Sequence, residues 1–130
     1  ERLYRRAVNW SEGQSDNLMR ADEAVATTQN YIDAKKADGL DTGALEAALA
    51  SYRTQIAEAR VFHDQAVAVL DAHSGFDDAG KVTDAPAARQ TLADSGSVLS
   101  QARVRIHNAA FALRQAVRDF REANGLTGER

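Results

Sequence analysis

Between residues 87 and 123, large apolar side chains recur at every seventh position: Leu92, Leu99, Ile106, Leu113 and Phe120. Ala88, Ser95, Ala102, Ala109 and Ala116 keep the same step between them. A heptad of this kind predicts a helix over about residues 84–123 with one narrow apolar seam, which is stable only against partner helices. The rest of the chain supplies two. Tyr4, Ser11, Leu18, Val25 and Ile32, with Ala7, Gln14, Ala21 and Thr28, predict a helix over about residues 3–37. Leu45, Leu49, Tyr52, Ile56, Ala59, His63, Ala66 and Leu70 predict a third over about residues 43–74. Two places are weak. Ser11, Gly13, Gln14 and Ser15 lie in or beside the first seam, so fraying or a kink is expected there; Ser95, Gly96 and Ser97 mark a second possible break.

The connections carry cap signals. Gly39 suits a left-handed cap with Leu40 folding back, and Asp41 or Thr42 can cap the next helix. Gly75 is expected to end that helix, with Phe76 packing back on Leu70. Thr83 is the expected N-cap of the last helix, with Asp84 and Pro86 in its first turn. A seven-residue period shared by all three seams predicts an all-α fold: an elongated up-down-up three-helix bundle with coiled-coil-like heptad seams. It is one domain over residues 1–124, with a flexible tail at 125–130.

Composition sharpens this picture. Alanine fills about a fifth of the chain, proline occurs once and aromatics make up 6%, which favours close-packed helices over sheets. Cysteine is absent, so disulfides and thiolate metal sites are excluded. A net charge of -3 offers no bulk attraction to nucleic acid, and no apolar run approaches the ~20 residues that span a bilayer, so neither nucleic-acid binding nor membrane insertion is expected. The topology brings Arg2, Arg5 and Arg6 to the end that holds Asp71, Asp77, Asp78 and Asp84. It brings Arg114, Arg118 and Arg121 toward Asp38, Asp41 and Glu46. Such exposed pairs contribute ~0–1 kcal/mol each but help select the topology.

Few residues suggest chemistry. His63 falls inside the second seam, and counting through the loops sets it level with Asp16, Asn17 and Leu18 and with Ser95 and Gly96. One reading is a small polar pocket or a pH-sensitive layer built from His63, Asp16, Asn17, Gln14 and Ser95. The other is a core histidine hydrogen-bonded to Asp16, Asn17 or Gln14, which fixes register. No Glu-x-x-His pair serves a di-metal centre, and His63 and His107 stand too far out of register to share a haem. The stretch from Phe76 to Asp84 has a faint look of a calcium loop, but Gly75, Asp77 and Ala79 fill its alternate ligand positions and Pro86 its twelfth. No metal or cofactor is expected. Nucleophile turns and phosphate-cradling glycine loops are also missing, so the chain does not read as an enzyme. Val104 and Phe111 lie seven apart on the face opposite the third seam. With Val61 and Trp10 on the other helices, they form a candidate contact face for self-association or a protein partner.

Two stretches carry a resemblance: Gly39-Leu-Asp-Thr-Gly-Ala-Leu-Glu-Ala-Ala-Leu49, and His73-Ser-Gly-Phe-Asp-Asp-Ala-Gly-Lys-Val-Thr-Asp84 running into Ala87-Ala-Arg89. With Asn17-Leu18 and Ala21 upstream, the chain resembles a group of exported, alanine- and arginine-rich helical proteins of bacteria whose function is not established. The resemblance implies export and a helical fold and carries over no catalytic residue; Ser11-Glu-Gly13 and Asp94-Ser-Gly-Ser97 depart from it. Together with a first residue, Glu1, that is not Met, it gives the expectation of an extracytoplasmic protein: secreted, periplasmic or at the cell surface. The function expected is non-enzymatic, a structural or interaction subunit working by protein contact or self-assembly. The alternative is a small-ligand-binding or sensing module at the His63 layer.

Overall fold

A computed structural model describes residues 2–128. It holds three helices, α1 (Arg2–Ala37), α2 (Gly43–Ala72) and α3 (Ala85–Ala123), packed as an all-α three-helix bundle. At ~1.5 Å per residue the helices are roughly 45–60 Å long. The seams read from the heptads are the ones that close: Leu18, Ile32, Leu45, Ala59, Leu99 and Ala102 are almost wholly buried. The α2–α3 pairing is the most extensive, and α1 lies more lightly against both.

The ends of the rod are tied by loops and rings. The Tyr4 hydroxyl donates to the Leu70 carbonyl at 2.7 Å, and its ring packs 4.8 Å from that of Phe76. Phe76 thus also closes on α1. At the other end Tyr31 meets Phe120 edge-on at 6.0 Å. Gly39 and Leu40 form the expected cap: Gly39 N–H bonds the Lys36 carbonyl and Leu40 N–H the Lys35 carbonyl. Gly125 and Leu126 repeat it on α3, bonding Glu122 and Arg121, and Leu126 packs against the core. The tail expected from residue 125 is thus anchored through Leu126; residues 129–130 of that tail lie outside the described residues.

Other boundaries differ from expectation for local reasons. α2 stops at Ala72 because His73 adopts a left-handed conformation (φ 38°), with its N–H on the Leu70 carbonyl and its Nδ1 donating to the Phe76 carbonyl at 2.9 Å. The N-cap of α3 is Asp84 rather than Thr83: its carboxylate accepts the Ala87 N–H at 3.2 Å. Thr42 takes the N-cap position of α2 without a side-chain bond, while Asp41 accepts the Gly43 N–H. Neither α1 nor α3 breaks at its weak point. Ser11 satisfies itself on the Val8 carbonyl and Ser95 on that of Leu92, and both stay buried in their seams.

Gly13 and Gly96 sit in these unbroken helices with nothing within 4 Å of where a Cβ would stand. Gly13→Ala and Gly96→Ala are each expected to stabilise the fold by about 0.5–1 kcal/mol, because alanine loses less backbone entropy in a helix. Thermal melts followed by circular dichroism check this. A drop in melting temperature for either variant contradicts it.

The ion pairs among the described residues are Lys36–Glu46 at 3.2 Å, Arg60–Asp22 at 2.6 Å, Arg105–Glu58 at 3.4 Å and a His73–Asp78 approach of 3.5 Å. They sit along the rod and at the loops, and the arginine clusters at the two ends take no part in them. Of the acidic residues expected at the ends, Glu46 and Asp78 are paired, with Lys36 and His73 rather than with the arginines.

Candidate functional site

His63 is buried on α2 with 6% of its surface exposed. Gln14 reaches it from α1. The Gln14 Nε2 donates to the Leu99 carbonyl of α3 at 2.9 Å, so the Oε1 is left to face His63 Nδ1 at 2.8 Å. A carbonyl oxygen can only accept, so Nδ1 carries a hydrogen and donates. One side chain thus bridges all three helices. Burial pulls the His63 pKa below 6.5; Asp64 opposes that shift and Arg60 adds to it.

The layer is smaller than the sequence suggested. Asp16 and Asn17 are exposed and face away from it. Ser95 is fully buried, but its hydroxyl donates within its own helix to Leu92, and the α3 residue at this level is Leu99. The slip has a cause. Ser74 accepts a bond from the Thr91 hydroxyl, and Gly75 lies against the backbone of Ala87 and Ala88. The first turns of α3 therefore run beside the loop before α3 meets α2, so a count through a symmetric loop falls about one turn short.

The loop itself is closed on its own backbone. Phe76 and Val82 form an isolated bridge, and the Asp77 carboxylate accepts the N–H groups of Ala79 and Lys81, both at 2.9 Å. Those bonds, Lys81 first, hold the Asp77 carboxyl below the usual carboxylate range. Among the described residues no cluster of three or more His, Cys, Asp or Glu side chains is placed to hold a metal ion.

The four apolar residues expected to form one contact face differ in setting. Val104 and Phe111 are 55% and 61% exposed, and at 100° per residue they point away from the buried seam of α3. Val61 lies likewise on the outer side of α2. Trp10 instead lines a groove between α1 and α3, beside Gly13, Ile106, His107 and Ala110.

This groove was not anticipated. Its upper part encloses about 680 Å³, and a second part of about 790 Å³ continues it past Ala24, Leu113 and Val117. Arg20 and Arg114 belong to both parts, so the two form one channel. On α1 it follows residues 10, 13, 17, 20, 24 and 27, and on α3 residues 103, 107, 110, 114, 117 and 121. Both are heptad stripes one position off the core seam, as the e and g positions of a coiled coil are. The sequence signal was present in the three-four spacing of Ile106, Ala110, Leu113 and Val117. Its opening comes from the light packing of α1 against α3, which no spacing encodes. Asp16 and Asn17 line this groove rather than the His63 layer.

No protein-family model matches the chain, and no curated protein or solved structure is found to be similar to it. Among the described residues, no helix is long and apolar enough to cross a membrane.

Proposed function

We propose that the protein is a non-enzymatic contact protein that holds a partner chain along the α1–α3 groove. The groove carries this reading. Two long helices run side by side, their facing stripes keep a heptad step, and the half-exposed Trp10 and half-buried Ile106 and Val117 lie between them. Helices of a bundle leave such a stripe open where a further helix can pack. In this proposal it serves as a structural or interaction subunit outside the cytoplasm; the extracytoplasmic setting is supported by the resemblance of its loop and cap stretches to exported proteins. The His63 layer gives less support to a small-ligand function, since Gln14 already fills the hydrogen-bonding position at Nδ1.

A photo-crosslinking amino acid at Ala110, in the groove, and one at Phe111, on the outer face, separate the possibilities. In cells that make the protein natively, Ala110 is expected to give one recurrent adduct to a single identified protein, and Phe111 none. Adducts from Phe111 alone move the contact to the outer face of α3 and overturn the groove assignment. Absence of any protein adduct from both positions overturns the contact reading itself.

A further inference from the structure

The charges around the groove narrow the kind of chain it accepts. Arg20, Arg103, Arg114, Arg118 and Arg121 line it, against the three carboxylates Asp16, Glu23 and Glu122. The groove is thus basic on a chain whose net charge is -3. Arg20, Arg103, Arg114 and Arg118 are exposed, and none takes part in the ion pairs among the described residues. Arg60 and Arg105, on other faces, do have carboxylate partners. Guanidinium groups bind carboxylates well because their planar donors match the two oxygens. Between the arginines the floor is mixed: Trp10, Ala24, Ile106, Ala110, Leu113 and Val117 give it an apolar strip, interrupted by Asn17, His107 and Thr27.

From this arrangement we infer that the groove docks an acidic amphipathic helix of a partner protein, as the fourth member of the bundle. The inference rests on the contact reading above and names the partner's chemistry. A helix fits the shape. From Trp10 to Thr28 the channel runs 18 residues along α1, or ~27 Å at 1.5 Å per residue, about five helical turns. The occupant places leucine-like side chains at i, i+3, i+4 and i+7 on the floor and glutamates or aspartates on both flanks, facing Arg20 on one side and Arg103, Arg114 and Arg118 on the other. The α3 surface of a second copy does not meet this requirement, because Arg103, Arg114 and Arg118 flank its exposed Phe111.

Trp10 is the one tryptophan of the chain, so its emission reports on the groove directly. The probe is a designed 18-residue peptide with leucines on one helical face and glutamates beside them, compared with a peptide of the same pattern carrying lysines. Titration of the full chain with the glutamate peptide is expected to shift Trp10 emission saturably. Raising ionic strength from 0.05 to 0.5 M is expected to weaken that binding, since contacts between exposed charges are screened at a Debye length of a few ångströms. The lysine peptide is expected to bind at least tenfold more weakly. R103E/R118E is expected to lose at least tenfold in affinity for the glutamate peptide and to keep the wild-type melting curve. Equal affinity for both peptides, or no saturable shift with either, overturns the inference. A shift produced by phosphatidylglycerol vesicles and not by the peptide also overturns it and hands the arginines to an anionic membrane surface. So does a doubled mass of the protein alone that R103E/R118E abolishes, which gives the groove to a second copy. Failure here with the Ala110 adduct intact rejects the acidic helix and leaves the contact reading standing.

Discussion

Gly75→Ala is expected to cost on the order of 4 kcal/mol and Gly39→Ala only about 1–2 kcal/mol, although both glycines hold the same left-handed backbone. Their φ values are +88° and +85°. The left-handed conformation alone accounts for the smaller figure, since a Cβ there crowds the following carbonyl. At Gly39 nothing else lies within 4 Å of the added atom. At Gly75 the atom would stand 2.1 Å from the Ala88 nitrogen and 2.7 Å from the Ala87 carbonyl carbon. Those are backbone atoms of a helix and cannot rotate aside. The Gly75 carbonyl also accepts the N–H groups of Thr83 at 2.8 Å and Asp84 at 3.2 Å. Any shift that relieves the clash therefore disturbs the bonds that seat the α3 N-cap. Urea unfolding followed at 222 nm measures both variants, and equal losses would show that close approach contributes nothing. Against the 5–15 kcal/mol typical of a domain, the expected difference decides whether the variant folds at 37 °C.

The same glycine shows where the sequence was legible and where it was not. Heptads fix which faces are buried, because a seam needs only local spacing; Leu18, Ile32, Leu99 and Ala102 are buried as their spacing required. The relative slide of two helices is another matter. It depends on how a twelve-residue loop folds, and that loop is shaped by the Gly75–Ala88 approach and the Asp77 carboxylate, which no periodicity encodes. The shift moved Leu99 to where Ser95 and Gly96 were expected and took Ser95 out of the polar layer. Chain ends misled for a different reason. Asp38-Gly39-Leu40 and Asn124-Gly125-Leu126 close their helices with the same two hydrogen bonds, yet only the first is followed within the described residues by a heptad seam that makes the cap look like a connection. The α1–α3 groove was the hardest to foresee. Its stripe borders the core seam, so in sequence it looks like the edge of the core.

The His63 layer bears the second large effect. Gln14→Leu is expected to destabilise the fold by about 2–3 kcal/mol, because it leaves a buried N–H on His63 without an acceptor. His63→Leu is expected to cost a comparable amount, since it leaves the Gln14 oxygen, on a side chain only 3% exposed, without its donor. The double variant is expected to recover most of the loss, giving a coupling of about 1–2 kcal/mol; removing both partners of a buried bond is far cheaper than removing one. Acidity provides the independent check. The folded-state pKa of His63 lies below 6.5, so between pH 6.5 and that lower value the unfolded chain binds a proton that the folded chain does not. Stability contributed by the neutral ring is complete above pH 6.5 and is lost as pH falls through this window, with a slope of at most about 1.4 kcal/mol per pH unit. His63→Leu and the double variant should be flat there. The acid loss that remains in them includes Asp77, whose carboxyl is held below its usual range and so acts at lower pH. If the double variant is as unstable as Gln14→Leu, the polar bond is not what the seam depends on. If it recovers stability but loses its single melting transition, then Gln14 fixes the order in which three similar heptad seams align. Buried polar groups serve that role in other coiled coils at some expense in stability.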